Sequence, residues 1–273
     1  MWFNGFIVVV DKALEALGEP LVQRHRDAIL MGAFREDVCF LGRSGRVIPS
    51  ASMTHFLRPG WPGGFIPFVW QDAAQRARMF FDRAVREQRQ GRQASAFVQL
   101  GRAAHPLIDM ACPVHAQGVA HKSDPFEWNV EAMAAELRRL PAEPFASKNN
   151  VEAIVRGLAA FGQRYAADKT TSPWGRVMRR MGLRKPMRKA EVREQARILI
   201  PRAAGAAAQL FKLFLQEVRP LSEADPSPTP HLEMSPAGLR TWLAQLEQFC
   251  ARHGGARHYA DMLELLARCR APS

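Results

Sequence analysis

The stretch from Leu100 to Ala116 constrains this chain more than any other, because it holds His105, Asp109, Pro113 and His115. His105 and Asp109 are four positions apart, so on a helix they project from one face, one turn above the other. Phe97, Gly101, Ala104 and Ile108 recur at helical spacing and form the expected buried stripe. His105 and Asp109 lie on the flank of that stripe, turned inward, where an unpartnered carboxylate or imidazole is costly. Pro113 ends the helix and returns His115 to the same neighbourhood. Two readings stay open: a hydrogen-bonded His–Asp couple and nothing more, or converging nitrogen and oxygen donors suited to zinc or a similar transition ion. Asp37, His55, His121 and Glu127 are further donors in the same half of the chain.

With these residues in view, the sequence resembles the zinc-dependent phospholipases C of bacteria. The H-x-x-x-D-x-x-x-P-x-H motif of that family is matched position by position by His105, Asp109, Pro113 and His115. Upstream, Glu36–Asp37 at a helix end and His55–Phe56 ahead of Pro59 look like two further elements of the pattern. Downstream, His121 and Glu127 correspond to a family His and Glu, with a slightly longer gap between them. The resemblance runs from about residue 5 to residue 218.

The resemblance implies an all-α fold with a multi-helix phospholipase C-like core. It places Asp37, His55, His105 and Asp109 around one zinc and His115, His121 and Glu127 around a second, with Glu36 turned elsewhere. It further implies that glycerophospholipids are cleaved to diacylglycerol and a phosphorylated headgroup by zinc-activated water, with Asp37 as an alternative general base. In the family, a His on the first helix and the amine of an N-terminal Trp hold a third zinc. Here that His position falls near Phe6 and Trp2 is not the first residue as written, so two ions are expected. Single-strand-specific nucleases share the fold and much of the site. Nucleic acid is therefore the alternative substrate, and a metal-binding homologue without turnover is the remaining alternative.

Helix formers dominate and alternating β-branched runs are almost absent, which by itself argues for an all-α fold. The formal charge of +12 implies attraction to polyanions, or reflects an arginine-heavy proteome. Cys39, Cys112, Cys250 and Cys269 form no C-x-x-C pair and no zinc-finger spacing, and leave the compartment open. No stretch reads as long and apolar enough to cross a bilayer. The first residues have a short apolar run without a basic region or small-residue cleavage site, and read as the start of a helix rather than a signal peptide.

Taken in order, helices are expected over residues 6–18 and 21–37, with His25 on the surface between Arg24 and Arg26. Residues 38–70 form a loop-rich segment carrying His55 and the aromatics Phe56, Trp61, Phe65, Phe68 and Trp70, which either wall a site or simply pack. A helix over 71–89 leads to the motif helix. Asp124–Pro125 caps another, expected to run through Glu127 to Leu140. Helices at 149–166 and 190–218 complete the core, domain 1–218. Between these last two, the basic segment 176–193 reads as a solvated loop or as a contact for an anionic membrane surface or nucleic acid. Residues 219–236 are a Pro-rich linker and 237–273 a C-terminal helical hairpin outside the family core.

Overall fold

The computed structural model describes residues 3–36, 39–41, 46–48, 55–57, 60, 63, 71–119, 124–146 and 149–218. Its elements are α1 (Phe3–Leu17), α2 (Pro20–Arg24), α3 (Arg26–Glu36), β1 (Cys39–Leu41), β2 (Arg46–Ile48), α4 (Ala73–Arg89), α5 (Gln93–Asp109) and α6 (Pro113–Ala116). There follow α7 (Pro125–Ala132), α8 (Ala134–Leu137), α9 (Val151–Gly162), a 3-10 turn (Lys169–Thr171), α10 (Pro173–Arg180) and α11 (Lys189–Val218). The architecture is all-α. Among the described residues the one addition is a small antiparallel ribbon, β1 on β2, pairing Cys39 with Ile48 and Leu41 with Arg46. The linker 219–236 and the hairpin 237–273 lie outside the described residues, as do Trp61, Phe65, Phe68 and Trp70.

Helix α5 is the axis of the core, and Phe97, Gly101, Ala104 and Ile108 are all buried along it. It crosses α3 with glycine on both sides. A Cβ on Gly32 would lie 1.9 Å from the Val98 carbonyl oxygen, and one on Gly101 would lie 1.9 Å from that of Ile29. Backbone therefore packs on backbone, closer than any side chain allows. At the same crossing Glu36, 1% exposed, accepts from Arg76 Nη2 at 2.9 Å and Arg102 Nε at 2.6 Å. Both guanidinium groups also cover the Phe80 ring, at 4.5 and 3.9 Å from its centroid. This charged cluster ties α3, α4 and α5 together.

Helix α4 begins with a capping box, in which the Asp72 side chain accepts from Gln75 N at 2.8 Å and the Gln75 side chain accepts from Asp72 N at 3.0 Å. Asp72 also pairs with Arg156 of α9 at 2.8 Å. The 30-residue α11 packs on α1, α5, α7 and α9. By length and composition alone it could cross a membrane, which the sequence reading did not expect, but 72% of its most apolar window is buried inside the fold. At Gly205 an added Cβ would lie 1.7 Å from the Glu143 carbonyl oxygen, so the extended segment before α9 rests directly on α11.

Four sequence expectations are corrected. The helix expected over 21–37 is broken at His25, which caps α2 with φ −99°. That break turns His25 inward, 8% exposed and stacked on Phe97 with centroids 4.1 Å apart, rather than leaving it on the surface between its arginines. The helix from Asp124 stops at Ala132, and Met133 (φ −99°, ψ 4°) separates it from α8. The basic segment is not simply a loop, since Pro173–Arg180 is helical.

Gly101→Ala is expected to destabilise the fold by about 2–3 kcal/mol through overpacking against backbone that cannot yield. Gly157→Ala, whose methyl meets only the Phe145 ring at 3.2 Å, is expected to stay within about 1 kcal/mol. Denaturant titrations giving equal losses would contradict the crossing. Burial, and next the charge of Arg24, hold the His25 pKa below 6.5. The unfolded chain thus binds the proton more readily. The stability His25 confers is complete above pH 6.5 and falls as the pH drops toward the lowered folded value. His25→Gln should flatten that part of the stability–pH curve.

Candidate metal centre

The motif helix α5 delivers His105 and Asp109 to one spot, both 0% exposed, and the segment 55–57 brings His55 against them. His105 Nε2 lies 3.1 Å from Asp109 Oδ2, His55 Nδ1 lies 3.2 Å from the same oxygen, and the two ring nitrogens are 3.2 Å apart. Three donor atoms thus form a nearly equilateral triangle. Tetrahedral zinc with bonds of about 2.0–2.1 Å sets its ligand atoms roughly 3.3–3.4 Å apart, close to these edges.

The imidazole orientations are fixed from behind. His105 Nδ1 is 2.7 Å from the Ala33 carbonyl oxygen, which can only accept, so Nδ1 carries hydrogen and in the neutral ring Nε2 presents its lone pair to the triangle. His115 repeats the arrangement: its Nδ1 donates to the His55 carbonyl at 3.2 Å, and its Nε2 faces Glu127 Oε1 at 3.4 Å. A ring N–H donated to a carbonyl behind the ligand nitrogen is the usual support of a metal-binding histidine. Aromatic faces close both sites. Phe6 stacks on His105 with centroids 4.4 Å apart, and Phe56 stacks on His115 at 5.1 Å.

His115 and Glu127 belong to a second group, with Cys112 as its third member. In each group the ligand atoms lie within 4.8 Å of one another, and all six residues are buried. Cys112 was not among the donors read from the sequence, where its lack of a partner cysteine hid it. Its position one residue before Pro113 is the signal that was there to be used. Glu127 is held by α7, whose start is capped by Asp124 accepting from Phe126 N at 2.8 Å. Glu131, one turn on, accepts from Asn4 N at 3.0 Å and Nδ2 at 2.8 Å, tying α7 to α1. Asp37 and His121, the other expected ligands, lie outside the described residues. Glu36, beside Asp37, is taken up by its two arginines.

Electrostatics follow from this packing. Burial alone would raise the Asp109 pKa, but the positive charge of the chain's amino terminus, then that of His115 and His105 and a hydrogen bond from His105, hold it well below the usual range. Burial opposes protonation of His115, while Asp109 and Glu127 outweigh it and raise its pKa. Burial pushes the Cys112 thiol up, reinforced by Asp124 and Glu127. Asp124, buried beside Glu127, is pushed up to about 7.

No family model and no curated protein sequence matches the chain. Solved structures do. The alpha-toxin of Clostridium perfringens from avian strain SWCP superposes with a TM-score of 0.58 at 14% identity, covering 83% of this chain and 66% of the toxin. The alpha-toxin of Clostridium absonum gives a TM-score of 0.57 at 17% identity, covering 84% and 68%. The chain therefore shares the alpha-toxin fold and spans about two thirds of the length of these structures.

Cys112 is 0% exposed with a raised pKa, so an alkylating reagent should leave it unmodified in the native protein and label it only at the rate of unfolding. Peptide mapping that finds Cys112 modified under native conditions would contradict its placement.

Proposed function

We propose that this protein is a zinc-dependent phosphodiester hydrolase acting on glycerophospholipids, releasing diacylglycerol and a phosphorylated headgroup as a phospholipase C does. The observation that carries the reading is the buried triangle of His55, His105 and Asp109, with edges of 3.1–3.2 Å that suit a tetrahedral cation. The phospholipase C-like motif from His105 to His115 supports the substrate class, and the alpha-toxin fold is the scaffold on which the motif sits.

In this reading His55, His105 and Asp109, joined by Asp37, hold one ion, and His115, His121 and Glu127 hold the second. Cys112 stands beside the second group as a further soft donor. Zinc in such a pair of sites supplies positive charge for phosphate oxygens and makes a neighbouring water acidic enough to act near neutral pH. The chain's own residues do the positioning. His55 couples the groups, since its ring faces Asp109 while its carbonyl accepts from His115 Nδ1. Phe6 and Phe56 exclude water from one face of His105 and one of His115. Alternatively, the Asp37 carboxylate would act as general base and accept the proton of the attacking water.

Purified protein is expected to carry about two zinc ions per chain. His105→Ala and His115→Ala should each lose about one, and each should cut headgroup release from phosphatidylcholine vesicles by about a hundredfold or more. Chelation should abolish release and added zinc restore it. Absence of bound zinc would overturn the reading. Intact vesicles with degraded single-stranded DNA would move it to a nuclease, and bound zinc without turnover on either substrate to a metal-binding protein.

A further inference from the structure

Away from the candidate metal centre, the chain between Ala167 and α11 leaves the core and presents apolar and basic side chains together. Its base is closed by one buried carboxylate. Asp168 Oδ1 accepts from Thr170 N at 2.8 Å, and its Oδ2 accepts from Met187 N at 3.1 Å, so the outgoing and returning strands are stapled. Helix α10 is fixed to that base. A Cβ on Gly175 would lie 1.7 Å from the Lys169 carbonyl oxygen, and the Ser172 hydroxyl oxygen accepts from Gly175 N at 2.9 Å.

Held this way, α10 turns Trp174, Val177 and Met181 to one side and Arg176, Arg179 and Arg180 to the other, by helical spacing. Trp174 is 68%, Met181 62% and Leu183 63% exposed. Apart from Trp128, every exposed large hydrophobic side chain among the described residues falls between Trp174 and Leu183. Residues 169–190 contain eight Lys or Arg and no Asp or Glu. A purely electrostatic contact, such as a nucleic-acid backbone, would leave Met181 and Leu183 without purpose. A purely apolar partner would strand the charges.

We propose that residues 169–190 dock this protein on an anionic phospholipid bilayer. Trp174, Val177, Met181 and Leu183 enter the headgroup region, and the arginines and lysines reach the lipid phosphates. Tryptophan favours that interface, and long basic side chains span from an apolar surface to charged headgroups. The base of the projection lies beside the metal-centre elements. A small cavity there is lined by Pro113 and Val114 of α6, Asp124 and Phe126 at α7, and Asp168 and Met187. The proposal does not depend on turnover.

The test is co-sedimentation of the full chain with phosphatidylcholine vesicles, with and without phosphatidylglycerol, in the presence of a chelator. The native protein is expected to bind the anionic vesicles selectively, unchanged by chelation. Arg179→Gln/Arg180→Gln should weaken binding roughly twenty-five-fold, at about fivefold for each basic residue near the surface. Trp174→Ala/Leu183→Ala should weaken it by at least about tenfold through lost insertion, with the thermal melt unaltered. Two results overturn the proposal: native protein that ignores anionic vesicles, or an apolar double variant that binds vesicles like the native protein. If that variant and the native protein also hold single-stranded DNA equally well, the surface is a nucleic-acid contact.

Discussion

The close crossing of α3 and α5 is the constraint on which the rest of the structure depends. Glycine inside a helix costs about 1 kcal/mol relative to alanine, and this crossing holds two, Gly32 and Gly101. What they gain is an approach that puts backbone on backbone. Ala33 follows Gly32 directly, and His105 lies one turn beyond Gly101, so the 2.7 Å bond from His105 Nδ1 to the Ala33 carbonyl exists only at this separation. Glu36 and Arg102 flank the same glycines, and their pairing locks the crossing from the polar side. One packing decision thus fixes the tautomer of a site histidine and the angle between two helices.

That tautomer bears on whether the triangle is merely a satisfied core couple. With Nδ1–H spent on Ala33, the neutral His105 ring would point a lone pair at Asp109 Oδ2 from 3.1 Å, and two lone pairs repel. His55 Nδ1 can donate to only one of them. Positive charge close to the three atoms relieves that repulsion, and an added proton or a cation among them would supply it. Burying an unneutralised carboxylate costs several kcal/mol, and Asp109 is wholly buried. Its lowered pKa expresses the same demand for nearby positive charge, drawn first from the chain's amino terminus and then from His115 and His105. A structural couple needs one histidine, whereas this site brings two to one oxygen.

Much of this was legible in the sequence because it rests on local periodicity. The four-residue spacing of His105 and Asp109, the stripe from Phe97 to Ile108 and the turn at Pro113 are properties of one helix and its end. Less legible were features set by tertiary packing. His25 looked exposed between two arginines, but a break in the helix rotates it onto Phe97. Met133 interrupts a helix that its own neighbours favour. Cys112 gains chemical meaning only when α7 places Glu127 near it. The basic segment read as a loop because its charges mask a short helix whose apolar side faces outward.

Phe6 decides how far the proposed centre can extend. The phospholipase C resemblance puts a histidine near this position, yet here a phenyl ring, wholly buried, stacks on His105 at an interplanar angle of 22°. A phenyl face offers no lone pair to a cation. It fixes the imidazole plane by contact and keeps water from that face of His105. A cation on the Phe6 side of His105 would need to displace Phe6 from the core, where it also meets Phe34 edge-on with centroids 6.4 Å apart. Displacing so buried a ring forfeits about 3 kcal/mol or more of packing. In the proposed centre, the cation of the triangle therefore lies away from Phe6, among the two imidazoles and the Asp109 oxygen on which they converge.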